Sequence, residues 1–463
     1  MLIEKLKKTR RNTLDKSDLL GSYDFFTTIV SIESCEEQDI VNLNLTREEF
    51  SRVCSNNDVE DTLSFSTYEF YSKVYPVATH EYTHFIDCTS TLWGMRYLKS
   101  MSDAYSSDNL RFGATEEDFF RAKEFNDLVR FIKMPDYYRL VAKKEEHPLP
   151  WSYRESIGKV FTSKGKVSDR PLLFIWFSDA SGEPIVRSPI SPLSILEGSA
   201  MCQEILGRSS LISLLGEERV IEEKMYQNYL KNYLFDASLT EYSVCAHLLG
   251  TKFEKVDTID VFSASATLCR YVLNTPLQVY EMILSHFDFC TLWQNNPIYS
   301  HVSPDAPEMV DFVKNIKEGL KRHDLGMLFY LIFQLLPFSI KSGEIHQHIN
   351  DVYSKLGITK EQLVQLAKEE KDVITEELFN SKIDKIACLS AAGCDNYDKI
   401  DWDVPQLPVY ELNLPAVVLG DDTKHVLLSH EDDNLLKDYN IESLYEELIE
   451  GQFWVERFSE ACE

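Results

Sequence analysis

Two histidines four residues apart, His80 and His84, lie in a stretch whose apolar residues return every three or four positions. Phe85, Cys88, Leu92, Met95 and Leu98 carry that spacing, which is the period of a helix with one buried side. Ser66-Thr67-Tyr68-Glu69 has the form of a capping box and predicts a helix start near residue 67. Pro76 then either kinks that helix or opens a second one as its first residue. Upstream, the runs Phe25 to Ile32, Ile40 to Leu45 and Leu63-Ser64-Phe65 read as short strands. The expectation is an α+β chain in which a small sheet precedes the histidine-bearing helix.

One helical turn separates the two imidazoles, so both point the same way. Glu81 stands beside the first of them, and His80-Glu81-Tyr82-Thr83-His84 is the pattern H-E-x-x-H. At this spacing two imidazoles reach one zinc ion while the glutamate faces its water, the arrangement of zinc hydrolases. A tetrahedral catalytic zinc needs a third protein ligand and one open position. The metzincin continuation would require glycine at 87 and histidine at 90; Asp87 and Ser90 stand there and exclude it. Further on, Ser191 fits an N-cap, Pro192 a first helical position and Gly207 a C-terminal stop, which predicts a second helix. Within it Glu197 lies among Leu193, Ile195, Leu196, Ala200 and Ile205, so its carboxylate is expected inside. A glutamate there is costly unless it is paired or binds metal.

Glu197-Gly198-Ser199-Ala200 resembles the E-G-x-A segment of gluzincins, metallopeptidases with His, His and Glu ligands, and is most similar to their aminopeptidase branch. The resemblance covers about ten positions and implies a zincin-like core. It assigns His80, His84 and Glu197 as ligands of one zinc per chain, with Glu81 as general base. The departure is the spacing, since 112 residues lie between His84 and Glu197 and imply an insertion over roughly 100–185. That insertion holds an amphipathic helical run from Ala114 to Met134. It also holds a hairpin in which Leu172–Phe177 and Pro184–Ser188 flank Asp179-Ala180-Ser181-Gly182.

Hydrolysis would also use a donor to the developing oxyanion, for which Tyr242 and His247 are candidates, with Tyr271 and Tyr280 behind them. Asp87 and Glu204 are candidates for orienting the ligands, against the plainer role of solvated charges. Glu81-Tyr82-Thr83-His84 also reads E-x-x-H, but a di-iron bundle needs a second such pair, which the chain lacks. His346 and His348 diverge on a predicted helix and read as surface residues.

The setting follows from composition. A net charge of −28 argues against binding nucleic-acid backbone or an anionic membrane and fits a cytoplasmic protein. The N-terminus lacks the apolar core of a signal peptide. Ten scattered cysteines without a C-x-x-C pair read as reduced thiols, with Cys88 and Cys202 on the two ligand helices. The apolar run Leu325 to Ile340 is too short and interrupted to span a membrane and reads as a buried helix. After Gly207 the pattern is mainly helical to about residue 390. A Pro- and Asp-rich connector follows, then a hairpin around Gly420-Asp421-Asp422 and a last helix from Ile441 to about Ser459. The expected domains are a zincin-like core over 1–250, a helical domain over 251–395 and a C-terminal α+β segment over 396–463, with the helical C-terminal region a candidate surface for a protein partner. Two function classes stand. One is a zinc metallopeptidase acting on peptide or protein substrates, a restricted intracellular set. The other is a non-catalytic helical binding or regulatory protein that retains a zincin scaffold.

Overall fold

The computed structural model describes residues 2–9, 20–55, 61–142, 149–162, 164–255, 257–292, 302–303, 305–341, 343–428 and 434–462. The chain is mixed α+β and mainly helical, with two four-stranded sheets among the described residues. Its strands are β1 (Ser22–Tyr23), β2 (Val30–Ile32), β3 (Leu140–Val141), β4 (Ser152–Phe161), β5 (Val167–Ser178), β6 (Pro184–Pro189), β7 (Val417–Leu419) and β8 (Lys424–His425). Two compact units form, and each is assembled from separated stretches: Met1–Asn126, Ala200–Asn232 and Ile374–Ser459 in the first; Asp127–Ser199, Tyr233–Val373 and Glu460–Glu463 in the second.

The first unit is organised around the helix Phe65–Thr89. Ser64, in extended backbone, caps it by accepting from the Thr67 N–H, so the start falls two residues before the predicted one. Glu49 in turn accepts from the Ser64 N–H at 2.7 Å. The helix runs through Pro76 without opening a second one. Every residue from Ala78 to Thr89 is buried, which makes this a helix covered on all sides over its last three turns. Three of its buried threonine hydroxyls are satisfied inside the helix: Thr79, Thr83 and Thr89 donate to the carbonyls of Tyr75, Thr79 and Phe85.

Partners from distant sequence supply the cover. β2 pairs antiparallel with β1 and parallel with β7, setting Ser31 opposite Val418, and β8 closes the sheet order β1-β2-β7-β8. Tyr82 donates to the Pro415 carbonyl at 2.8 Å. Gly393 comes so close to the Thr89 carbonyl that a Cβ there would stand 2.1 Å from it.

Three strand expectations are corrected here. Ile40 to Leu45 belongs to a helix, Glu37–Ser55. Its apparent alternation hides a helical face of Ile40, Leu43, Phe50 and Val53, with Phe50 stacked on Tyr71 at 3.9 Å while Val41 and Leu45 are exposed. Phe25 to Ile32 is a turn followed by a strand. Asp24 accepts from the Phe26 and Thr27 N–H groups and Thr28 takes a positive φ of 59°, which folds β1 back on β2. Leu63 makes only a single parallel bridge to Leu215, and Phe65 already begins the helix.

The second unit carries the sheet β3-β6-β5-β4, antiparallel throughout. The expected hairpin is β5–β6: Asp179 accepts from the Ser181 and Glu183 N–H groups, and Gly182 supplies a φ of 87°. The helix Leu325–Leu335 is buried from Leu325 to Gln334 and capped by Asp324, as its apolar run predicts. Gly326 lets it meet β6's end, since a Cβ would stand 2.2 Å from the Ile190 carbonyl. Among the described residues no helix is long and apolar enough to cross a membrane. The chain beyond Gly207 is mainly helical as expected, the C-terminal hairpin forms as β7 and β8, and the last helix runs over Ile441–Ala461.

Candidate metal centre

The helix Pro192–Ser213 begins as expected, with Ser191 accepting from the Ser194 N–H and Pro192 in the first turn. It does not stop at Gly207. That glycine is helical and faces Tyr75, whose ring carbons would lie 3.4 Å from an added Cβ. The helix runs on to Ser213 and carries Glu204 and Arg208 in its body. Gly198 serves packing as well, with the Cys269 sulfur 3.3 Å from where its Cβ would be.

His80, His84 and Glu197 each offer a ligand atom, and these atoms lie within 4.8 Å of one another. The three side chains are buried or at the edge of burial. The two Nε2 atoms are 3.3 Å apart, with the rings nearly perpendicular at 77°. Two nitrogens on one tetrahedral zinc stand about 3.3 Å apart, the edge of a tetrahedron with Zn–N bonds near 2.05 Å. The histidine pair therefore already has the separation that a shared ion needs, and the glutamate oxygen lies within 4.8 Å of both. Two imidazoles and a carboxylate are also a donor set that suits zinc.

Glu204 fixes the orientation of His80. Its Oε2 lies 3.1 Å from His80 Nδ1, so the ring donates there and turns the lone pair of Nε2 toward His84. Tyr226 and Tyr229, stacked at 5.9 Å, lie within electrostatic range of Glu204, and Arg208 sits over the Tyr226 ring at 5.4 Å. Burial and the carboxylate of Glu204 push the phenol pKa of Tyr229 up, so it stays a neutral neighbour.

Glu81 is buried beside the ligands, and Gly21 makes room for it. A Cβ on Gly21 would come within 2.8 Å of the Glu81 Cγ and Oε1. Gly21 leads into β1, and the Tyr23 ring lies 6.5 Å from that of His84. Periodicity marks neither residue; only the return of the chain over the helix brings them there. Glu204 was marked as an orienting candidate by its place on the Glu197 helix, but its bond goes to His80. Asp87 is buried one turn beyond His84.

The oxyanion candidates fare differently. His247 is enclosed by Trp151, Phe177 and Phe235, with ring centroids at 5.6, 4.4 and 5.2 Å. Tyr271 donates to Asn350, and Tyr280 sits against His323 at 5.3 Å. Tyr242 is buried. None of these contacts is with the triad. His346 and His348 are partly exposed on the helix Ile345–Lys355, and Cys88 and Cys202 are buried thiols. Compared with known proteins, the chain matches no family model, no curated protein and no solved structure.

Proposed function

We propose that the chain is a zinc-dependent peptidase of gluzincin type, with a zincin-like core and one zinc held by His80, His84 and Glu197. The observation that carries this reading is the approach of those three ligand atoms, two from one helix and one from a second helix, with 112 residues between His84 and Glu197. Bound there, zinc would supply Lewis acidity and a water acidic enough to react near neutral pH. Glu81 takes the proton of the attacking water and hands it to the leaving amine, the work of a general base that then acts as acid. Glu204 holds His80 in the tautomer that leaves Nε2 free for the ion. The substrate is a peptide or protein, drawn from a restricted intracellular set. Ten cysteines that are all thiols, five of them buried, suit a reducing compartment such as the cytoplasm.

Metal content of the purified protein tests the reading. Wild type is expected to hold close to one zinc per chain and Glu197→Ala to lose most of it. Full zinc in Glu197→Ala removes the third ligand and with it the gluzincin assignment. A wild type without zinc removes the function.

A further inference from the structure

The second unit holds a cavity of about 550 Å³ lined by four lysines, Lys159, Lys314, Lys317 and Lys321, with Asp169 and Glu318 beside them. In a chain with 75 acidic and 47 basic residues, a lysine without a carboxylate partner is against the balance of charge. Yet none of these four is ion-paired among the described residues. Glu318 is taken by Arg322 at 2.9 Å, which leaves Asp169 as the one lining carboxylate outside an ion pair. Four positive charges facing one small volume repel one another, and an anion relieves them.

The cluster is built from two elements. Lys314, Lys317 and Lys321 fall at i, i+3 and i+7 on the helix Pro307–Lys321, so they share one face over about 10 Å. Lys159 comes from β4, and its Nζ is fixed by donating to the Asp169 carbonyl at 3.2 Å and to the Asn315 Oδ1 at 3.1 Å. Lys317 is steadied over the Phe289 ring at 4.8 Å. Two of the four ammonium groups are thus positioned before any ligand arrives, which lowers the cost of binding.

We propose that this cavity is a binding site for a small polyphosphate anion. Lysine is a point charge with rotatable donors and suits clustered phosphoryl oxygens, whereas a planar carboxylate would favour arginine forks. Phosphoryl groups also place more charge in this volume than an extended acidic peptide, which carries at most one carboxylate per residue. Among the described residues the lining side chains include no aromatic ring to stack on a base, and the apolar lining is Val310 and Val313. The ligand is therefore a phosphate-rich compound recognised without a nucleobase. This site is independent of the zinc reading.

Calorimetric titration with inorganic tripolyphosphate tests it. Wild type is expected to bind one equivalent with an affinity that falls as salt is raised. Lys314→Gln, exposed and outside any packing, should weaken binding about tenfold, and the triple variant Lys314→Gln/Lys317→Gln/Lys321→Gln should abolish measurable heat. Lys224→Gln, on the exposed side of the helix Arg219–Leu234, should leave binding unchanged. No binding by wild type, equal binding by the triple variant, or a hexaglutamate peptide binding as tightly as tripolyphosphate would each overturn the proposal.

Discussion

Among the described residues two groups of buried histidine stand out, and they are held in opposite ways. His80 and His84 face each other through Nε2, and a carboxylate takes the far nitrogen of His80. His247 is equally buried, but rings surround it, and neither of its nitrogens has a hydrogen-bond partner among the described residues. Burial pushes its pKa down to about 4, so it is neutral across the physiological range. The difference teaches that burial alone does not make a histidine a ligand. What distinguishes His80 is that a carboxylate holds one of its nitrogens, which sets where the lone pair of the other points. In the sequence the first group stands out by its H-E-x-x-H spacing, whereas His247 is one histidine on an apolar helix.

The comparison can be broken at several points. The largest effect is expected at Glu81, which sits with the histidine pair and has no counterpart beside His247. Glu81→Gln should keep its zinc and lower turnover of any peptide the wild type cleaves by about 10²- to 10⁴-fold. Turnover that survives the change would show that this glutamate moves no proton.

A smaller effect is expected where the pair is held. Glu204→Gln removes the charge that orients His80, and dialysis against graded chelator should show zinc affinity reduced by about 10- to 100-fold. Unchanged affinity would make the 3.1 Å contact incidental to metal binding.

The smallest is at His247, where loss of the imidazole should leave zinc content untouched. Its folded pKa lies below the ordinary value of 6.5, so the unfolded chain takes up the proton first as pH falls. Stability from this group is therefore complete above pH 6.5 and declines from there toward about pH 4. Urea unfolding at pH 7 and pH 5 should show His247→Leu losing about 2 kcal/mol less than wild type over that interval. An identical loss in both proteins would mean that the aromatic box around Trp151, Phe177 and Phe235 does not hold the ring neutral.

Much of the secondary structure was legible because helical period, caps and turn residues act locally. The capped start of the Glu197 helix, the β5–β6 hairpin and the buried helix Leu325–Leu335 all form where their residues imply. The misses have a common cause. Ile40 to Leu45 alternates like a strand, yet the stacking of Phe50 on Tyr71 selects the helical face. Gly207 looks like a stop, but it packs on Tyr75 inside a helix that continues to Ser213. In each case a contact with a distant residue outweighed a local preference worth about 1 kcal/mol or less.

The sequence by itself determined the His80–His84 spacing, the glutamate beside it and the helix that carries Glu197, because each depends on residues within a few turns of one another. Only the tertiary structure decided that Glu197 comes within reach of the two histidines, that Glu204 bonds to His80 and that Gly21 clears space for Glu81. Those placements join residues 60 to 124 positions apart. No local propensity spans such a distance; they follow from how the buried helix Phe65–Thr89 is covered, which is a property of the packed chain.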